Sequence, residues 1–240
     1  MNLPLFFTDK IASTNSQLVL DEETSRHVVQ VLRMKEGELI QLTNGAGYLL
    51  TAEIVSNHKK SCEVMIIDSL LEFIDPRKVS IGISLLKNAN RFEWFLEKAT
   101  EIGVKEIFPL LCERTEKHHF RHDRMKSLCI SAMLQSRQVW LPKLHEPIRL
   151  SSLFQNLAYK NKFIAHCADT GRQSLSEQNV AGEDASIILI GPEGDFTSEE
   201  IAAATGNQFI QVTLGKTRLR TETAGVVAAA LLCSDQFYKK

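Results

Sequence analysis

The feature that most constrains this chain is a run of branched apolar residues leading directly into a glycine-containing turn near its C-terminal end. Residues 187–190 are Ile, Ile, Leu and Ile, and Gly191, Pro192, Glu193 and Gly194 follow them. Such an apolar run indicates a strand buried on both faces, as in a parallel sheet, and Gly-Pro-Glu-Gly is typical of a tight turn. Because glycine has no side chain, we predict a turn whose main chain a ligand can approach closely.

A second glycine-containing stretch follows about twenty residues later. The largely polar segment 214–220 contains Gly215, and Thr221, Thr223 and the apolar run 224–232 come after it. The apolar run predicts a helix, and either threonine can cap its N-terminus, where backbone N–H groups are free. Two glycine loops, each beside a regular element, predict one ligand site built mostly from backbone.

Neither loop matches the commonest glycine-rich binding patterns. The dinucleotide spacing GxGxxG and the phosphate-loop spacing GxxxxGK[ST] are both absent. Taken alone, a Gly-Pro-Glu-Gly segment is most often only a turn. The functional inference therefore depends on the two loops together.

Considered together, IGPEGDF at residues 190–196 and LGKTRLRTETA at residues 214–224 closely resemble the two C-terminal motifs of the SPOUT superfamily of S-adenosylmethionine-dependent RNA methyltransferases. Within it they resemble the RsmE family, which methylates N3 of a uridine in 16S ribosomal RNA. The resemblance implies S-adenosyl-L-methionine as cofactor without a metal, and 16S ribosomal RNA in the small ribosomal subunit as substrate. It also implies a homodimer whose knot-domain helices form the interface.

The resemblance also assigns residues to the cofactor. The adenine of S-adenosylmethionine needs hydrogen bonds to main-chain groups, which glycine loops offer with little side-chain obstruction. The matching positions of the two motifs are Leu189, Ile190, Gly191, Pro192, Glu193, Gly194, Leu214, Gly215, Leu219, Thr221 and Thr223.

Methylation of uridine N3 needs removal of the N3 proton and stabilisation of the negative charge that develops on the ring oxygens. Arg220 and Glu222 lie in the matching motif. We predict Arg220 as charge stabiliser and Glu222 as base or positioning group. In the alternative interpretation, Glu222 is an ordinary carboxylate in the first turn of a helix and Arg220 is its structural partner.

Length and composition favour two domains without a membrane span. The 240 residues are 44% hydrophobic, and no run reaches the ~18 apolar residues of a span. With no signal-peptide pattern, we expect a soluble, cytoplasmic protein. Five scattered cysteines indicate free thiols. His118, His119 and His122 have no second group at ligand spacing, so we expect a solvated loop and no metal site.

Charge is unevenly distributed along the chain. Residues 77–149 hold 14 Lys and Arg against 8 Asp and Glu, whereas residues 1–76 hold 6 against 11 and residues 150–240 hold 8 against 10. The basic middle third is compatible with a face that contacts phosphates, and a solvated helix surface would give the same count.

Residues 1–74 are predicted as a β-rich domain. A helix over 21–34 precedes strand patterns at 38–42, 48–55 and 62–67. The resemblance identifies this segment as a PUA-like RNA-binding β-barrel domain, with Arg26, His27 and Arg33 at its basic positions. These three side chains can equally be surface residues of a structural helix.

Asp75 and Pro76 mark the predicted boundary, so that residues 75–240 form the second domain. Strand and helix patterns alternate there, which indicates an α/β domain with a parallel sheet. The predicted strands are 79–86, 106–111, 162–166, 187–190 and 209–212, and the predicted helices are 91–102, 123–139, 150–158, 198–204 and the final run. The resemblance implies that this is a SPOUT methyltransferase domain with a C-terminal trefoil knot.

Four further RNA-binding positions are predicted in this domain. They are Arg114, Arg124, Gln135 and Ser136. Gln135 and Ser136 match the family run Glu-Gln-Ser, whereas a Leu replaces the Glu. Arg137 stands one place earlier than the family's arginine, which leaves its role open.

Two alternative functions remain at this point. Sister SPOUT branches that methylate the ribose 2′-oxygen share the Gly-Pro-Glu-Gly loop. A ribosome assembly factor that has kept the fold and lost activity is the alternative from another class, and the intact Gly191, Gly194, Arg220 and Glu222 argue against it.

Overall fold

The computed structural model describes residues 3–10, 14–72, 79–168, 171–178, 180 and 184–233. The chain divides into two compact units. Unit 1 comprises residues 1–74 and 133–141, and unit 2 comprises residues 75–132 and 142–240. The predicted boundary at Asp75 and Pro76 lies outside the described residues. No helix in the described part of the chain is both long and apolar enough to cross a membrane.

Unit 1 contains one five-stranded sheet, which confirms the predicted β-rich module. Its strands are β1 (Leu5–Phe7), β2 (Gln17–Val19), β3 (Leu39–Thr43), β4 (Tyr48–Ser56) and β5 (Glu63–Leu71). They are ordered β1-β3-β4-β5-β2, with β1 and β3 parallel and the other pairs antiparallel. The sequence patterns missed β1 and β2, because three residues are too few to show an alternation.

The predicted helix over 21–34 is wrong in its extent. Helix α1 (Glu22–Arg26) is capped by Asp21, whose Oδ1 accepts a 2.9 Å hydrogen bond from the Thr24 N–H, and a π-helical turn follows at His27–Val31. Three valines in that turn favour the helix only weakly. Arg33 then adopts a left-handed conformation, with φ 56°, which ends the helical path.

Residues 133–141 pack within unit 1 through main-chain hydrogen bonds. The N–H of Gly47 donates to Val139 O at 2.9 Å, and the N–H of Leu141 donates to Gly45 O at 2.8 Å. Gly47 has φ 92°, and a Cβ there would overlap the indole of Trp140. Glycine is therefore required at this position both by its backbone conformation and by the neighbouring ring.

Unit 2 is built on an eight-stranded sheet, which confirms the predicted α/β fold. Its strands are β6 (Val79–Ser84), β7 (Glu106–Leu111), β8 (Lys143–Leu144), β9 (Ile148–Arg149), β10 (Asn161–Ala165), β11 (Gln173–Ser174), β12 (Ser186–Ile190) and β13 (Ile210–Thr213). The order is β11-β13-β10-β12-β6-β7-β8, with β9 also paired to β7, and every described pair is parallel.

Five helices accompany this sheet along the chain. They are α2 (Ala89–Ile102), α3 (His122–Gln135), α4 (Leu150–Leu153), α5 (Ser198–Gly206) and α6 (Thr221–Leu232). The predicted helix over 123–139 ends early, because Arg137 has φ 57°. The predicted helix over 150–158 is also shorter, since a 3₁₀ turn at Phe154–Asn156 follows α4.

Strand β12 lies in the middle of the sheet, between β10 and β6, and no residue in it is more than 3% exposed. Burying each of its branched side chains contributes about 2 kcal/mol to folding. Helix α6 packs against β6 and α2 at Gly225, where a Cβ would lie 2.6 Å from Phe95 Cε2 and 2.9 Å from Ile83 Cδ1. These contacts place the start of α6 beside the C-terminal ends of the central strands. The trefoil knot stays a prediction from the resemblance.

Candidate cofactor and substrate site

A cavity of about 670 Å³ opens at the C-terminal ends of β10, β12 and β13 in unit 2. In a parallel sheet the loops that follow neighbouring strands gather at this edge, where α/β proteins bind ligands. The lining residues are Arg91, Ala165, His166, Cys167, Arg172, Ile190, Gly191, Pro192, Glu193, Asp195, Val212, Thr213, Leu214, Gly215, Lys216, Thr217, Arg218, Leu219, Arg220, Thr221 and Ala224. Both glycine loops therefore contribute to one cavity.

The loop after β12 is held in place by hydrogen bonds that its own residues make with each other and with neighbouring segments. Asp195, with φ 63°, accepts hydrogen bonds from the Cys167 N–H at 2.8 Å and from the Phe196 N–H at 2.9 Å through its two carboxylate oxygens. Arg114 donates to Gly194 O at 2.6 Å. A Cβ on Gly191 would lie 3.1 Å from the Phe196 ring. The turn is thus fixed against the sheet with its main chain at the cavity.

The second loop turns at Gly215, which has φ 146°. Thr213 Oγ1 donates to the Gly215 carbonyl at 2.9 Å and stabilises this turn. The predicted threonine cap of the following helix is wrong. Arg220 is the N-cap of α6, it has an extended backbone, and its side chain makes no capping hydrogen bond; Thr221 is already helical. The first N–H groups of α6 therefore lack side-chain acceptors from the cap and lie beside the cavity.

Most of the predicted cofactor residues line this cavity. They are Ile190, Gly191, Pro192, Glu193, Leu214, Gly215, Leu219 and Thr221. Leu189, Gly194 and Thr223 are not among the lining residues; Leu189 is fully buried within the sheet. Gly194 instead contributes the carbonyl that Arg114 binds.

The two predicted catalytic residues lie in different environments. Arg220 is exposed and lines the cavity. Glu222 is 7% exposed and does not line it; its Oε1 lies 3.7 Å from Arg91 Nε. Its Oε2 is buried with no hydrogen-bond partner in the described part of the chain. The geometry therefore connects Glu222 to the cavity through Arg91, and Arg220 is not its partner in an ion pair.

The predicted RNA-binding arginines of unit 2 both bind protein groups. Arg124 donates two hydrogen bonds to Glu93, of 2.8 and 3.0 Å, and these bonds lower the pKa of the Glu93 carboxyl. Arg114 binds the cavity loop. The structure therefore assigns each guanidinium a structural contact that the sequence did not predict.

The remaining predicted RNA-binding residues belong to unit 1. Arg26 pairs with Glu22 at 3.0 Å, His27 lies edge-on to Phe6, and Arg33 is exposed. Gln135 is exposed at the end of α3, and Ser136 Oγ donates to Met133 O at 3.2 Å.

Arg137, whose role the sequence left open, has a structural role in unit 1. Its guanidinium donates to Leu3 O at 3.1 Å and to Gln41 Oε1 at 2.8 Å.

The sequence patterns missed several cavity residues, chiefly Arg91, His166, Arg172 and Asp195. His166 is 6% exposed; its Nε2 lies 3.0 Å from Gln211 Oε1, and Arg172 donates to its carbonyl at 2.9 Å. Arg91 and His166 both follow strands that neighbour β12, and this position in the sheet could have identified them as cavity residues. The sheet order needed to use it was not predictable from the sequence.

The cavity combines glycine main chain, the N-terminal end of a helix, two carboxylates and several guanidinium groups. Its size is in the range of pockets that bind drug-sized molecules. Glu193 and Asp195 suit a cationic ligand group, and the main-chain groups at Gly191 and Gly215 suit a heterocycle. The residues therefore fit S-adenosylmethionine. Fold and site together define an α/β protein that binds a nucleoside-sized ligand at the C-terminal edge of its parallel sheet.

Comparison with known proteins defines the family. Residues 74–233 match the model of the RNA methyltransferase domain, and residues 20–67 match the RNA methyltransferase PUA domain. The chain belongs to this family of RNA methyltransferases, which confirms the family assignment made from the two sequence motifs.

Individual relatives agree over nearly the full length. A probable rRNA-methyltransferase from Porphyromonas gingivalis is 33% identical with a TM-score of 0.90, covering 99% of this chain and 100% of its own. The ribosomal RNA small subunit methyltransferase E of Neisseria gonorrhoeae, solved with bound S-adenosyl methionine, is 28% identical with a TM-score of 0.87, covering 97% and 98%. The ribosomal RNA small subunit methyltransferase E of Buchnera aphidicola subsp. Acyrthosiphon pisum is 27% identical, covering 96% of this chain and 92% of its own.

Proposed function

We propose that this protein transfers a methyl group from S-adenosylmethionine to N3 of a uridine in 16S ribosomal RNA of the small ribosomal subunit. The observation that carries the proposal is the convergence of both glycine loops on one cavity at the C-terminal edge of the parallel sheet. The names of the relatives support the small subunit as substrate. The uridine N3 specificity rests on the resemblance to the RsmE family. The protein then acts in the cytoplasm, where the subunits are assembled.

In this proposal the two loops hold the cofactor by their main chains. Gly191 and Gly215 leave room for close approach, and the start of α6 at Thr221 presents N–H groups to hydrogen-bond acceptors of the ligand. When bound, S-adenosylmethionine supplies a methyl group on a positively charged sulfur. The carboxylates of Glu193 and Asp195 stabilise that positive charge.

The part of the site that binds the uracil needs positively charged groups. Once the N3 proton leaves, negative charge spreads over the uracil oxygens, and preorganised donors lower the barrier. Arg220 lines the cavity and supplies such donors. Glu222 is buried behind Arg91, which favours the positioning role over the role of base for this carboxylate.

The test is methylation in vitro with defined products. Small ribosomal subunits from a strain lacking the gene are incubated with the purified protein and S-adenosylmethionine, and the RNA is digested to nucleosides. We expect one N3-methyluridine per subunit. A methyl group on the ribose 2′-oxygen identifies the alternative enzyme, and cofactor binding without any methylated nucleoside identifies an inactive assembly factor.

We also propose the homodimer implied by the resemblance. The close approach that Gly225 permits is used within the chain, against Phe95 and Ile83. The dimer therefore needs its own measurement. Light scattering should give twice the chain mass, and a concentration-independent monomer mass with intact activity would contradict the dimer.

A further inference from the structure

A second cavity, of about 680 Å³, adjoins the cofactor cavity in unit 2, and Arg91 and Glu193 line both. Its other lining residues come from the start of α2 and the loop after β7: Lys87, Asn88, Ala89, Asn90, Glu116 and Lys117. Amide and charged side chains thus surround it, without an aromatic or large aliphatic residue. Such a lining fits a polar, anionic ligand.

We propose that this second cavity is the subsite for the target nucleotide, and that Arg91 contacts one of the two oxygens that flank N3 of its uracil. The proposal rests on the proposed function and deepens it. It gives Arg91 a role that the sequence motifs did not assign.

The position of the cavity follows the geometry of methyl transfer. The N3 lone pair forms the new N–C bond while the C–S bond breaks, and the electron pair of that bond returns to sulfur. The acceptor must therefore approach the methyl group from the side opposite sulfur, in a space continuous with the cofactor cavity. The second cavity borders the first at Arg91 and Glu193, which line both, and this position is the one that the geometry requires of the acceptor.

The guanidinium of Arg91 is available for this contact. Its Nε lies 3.7 Å from Glu222 Oε1, which is beyond hydrogen-bond distance, and it makes no side-chain hydrogen bond within the part of the chain that the structure describes. Arg114 and Arg124, by contrast, donate short hydrogen bonds to protein groups, of 2.6 Å and 2.8 Å. An arginine carries five donors in a fixed fork, so Arg91 keeps its donors for a ligand.

Glu222 keeps Arg91 in position. This carboxylate is 7% exposed, and its Oε2 lacks a partner in the described residues, so a nearby cation is needed to offset its burial. Arg91 is that cation, with its side chain 38% exposed towards the cavities. Glu222 is thus a positioning residue that acts through Arg91.

Uracil has two oxygens flanking N3, and in this proposal Arg91 serves one of them and Arg220, which lines the cofactor cavity together with Arg91, serves the other. As the N3 proton leaves to a solvent base, negative charge develops on both oxygens, and each guanidinium donates to one of them. Lys117 and the amides of Asn88 and Asn90 lie at the same cavity, where they can bind the phosphate and sugar. Lys87 contributes less, because it pairs with Glu116 at 2.8 Å.

Two anionic groups are candidates for binding Arg91. One is the deprotonated uracil of the substrate, and the other is the carboxylate of the cofactor's methionine part. Variants Arg91→Ala and Arg91→Lys distinguish them. Cofactor affinity is measured by calorimetry, and methylation kinetics are measured with small ribosomal subunits at saturating cofactor. Lys98→Ala is the matched control, because Lys98 lies on the same helix, pairs with Glu101 at 2.8 Å and lines neither cavity.

For Arg91→Ala we expect cofactor affinity within about threefold of wild type and kcat lower by ~100-fold, the scale for losing one stabilising donor. Arg91→Lys should recover part of the rate. Lys117→Ala should raise KM for the subunits several-fold and leave kcat unchanged, because it affects binding outside the reacting base. Retained cofactor binding also shows that each variant is folded.

Two results would contradict the assignment of Arg91 to the uracil subsite. In the first, Arg91→Ala weakens cofactor binding by tenfold or more while kcat at saturating cofactor is kept, which assigns the guanidinium to the cofactor. In the second, wild type and Arg91→Ala methylate equally well. Neither result affects the proposed function, which fails separately if the wild-type protein forms no N3-methyluridine.

Discussion

The guanidinium of Arg114 donates a 2.6 Å hydrogen bond to the carbonyl oxygen of Gly194, eighty residues later in the chain. A second residue strengthens the same connection, since the N–H of Glu113 donates to Glu200 Oε1 at 2.9 Å. Two consecutive residues after β7 are therefore bound to the segment that follows β12, Arg114 to the loop at Gly194 and Glu113 to Glu200 in α5. Arg114 is a support of the cofactor loop in this structure.

The first prediction is that Arg114→Ala weakens S-adenosylmethionine binding by about fivefold, as expected for loss of one partly exposed charged hydrogen bond. Calorimetry measures this effect. Arg149→Ala, another exposed arginine that lines neither cavity, serves as control. Unchanged cofactor affinity together with a raised KM for RNA would return Arg114 to the RNA-binding role.

The second prediction separates charge stabilisation from cofactor binding. Arg220→Ala should leave cofactor affinity within about threefold and lower the methylation rate by ~100-fold or more. Binding is measured by calorimetry, and the rate is measured with small subunits at saturating cofactor. Lost cofactor binding with a preserved rate would show that Arg220 serves the cofactor.

The third prediction concerns Gly191. The buried Phe196 ring lies 3.1 Å from where a Cβ on Gly191 would stand, so the branched side chain of Gly191→Val forces this ring or the turn to move. Cofactor affinity should fall by more than tenfold. Gly206→Ala is the control, because a Cβ there meets nothing within 4 Å. Wild-type affinity of the Gly191→Val protein would place the cofactor elsewhere.

The fourth prediction concerns the reactivity of the cysteine thiols. Cys167 is exposed and lines the cavity, whereas the other four cysteines are buried, and burial raises the pKa of Cys112 to about 12 and that of Cys129 to about 11. Iodoacetamide at pH 8 should therefore modify one thiol per chain, Cys167, and S-adenosylhomocysteine should slow that reaction. Peptide mass spectrometry identifies the site. Equal rates with and without the ligand would be incompatible with its binding in this cavity.

The fifth prediction concerns stability and pH. The hydrogen bonds from Arg124 lower the pKa of Glu93, so the ionised carboxylate stabilises the fold above the unfolded-state pKa, and this contribution is lost as the pH falls through the folded-state pKa. Glu93→Gln should lower the melting temperature by about 1–2 °C at pH 7, and the difference from wild type should shrink at pH 3. Glu97→Gln, on the same helix, is the control. A difference that grows in acid would contradict this account.

The sequence predicted the central elements well because their patterns are strong. The apolar run of β12 and the alanine-rich run of α6 each have one reasonable interpretation, and both are confirmed. Local conformations were harder to predict. The left-handed backbones of Arg33 and Arg137 end two helices that periodicity would continue, and nothing in an arginine side chain marks such a position.

The candidate site was predictable only along the two motifs. Arg91 lies on a helix where a charged residue normally indicates a solvated face, and its relation to Glu222 joins positions 131 residues apart. That contact depends on the sheet order and on the packing of α6 against α2 at Gly225. Sequence periodicity contains no information about the sheet order or about this helix packing, so the contact between Arg91 and Glu222 became visible only in the tertiary structure.

The central claim, methylation of uridine N3 in small-subunit RNA, is tested most directly in cells. Nucleosides from small-subunit RNA of a strain that lacks this gene are compared by mass spectrometry with those of the parent strain and of the strain complemented with wild type or with Arg220→Ala. The account predicts that N3-methyluridine disappears on deletion and returns with the wild-type gene only. Unchanged N3-methyluridine, or loss of a ribose-methylated nucleoside in its place, would contradict it.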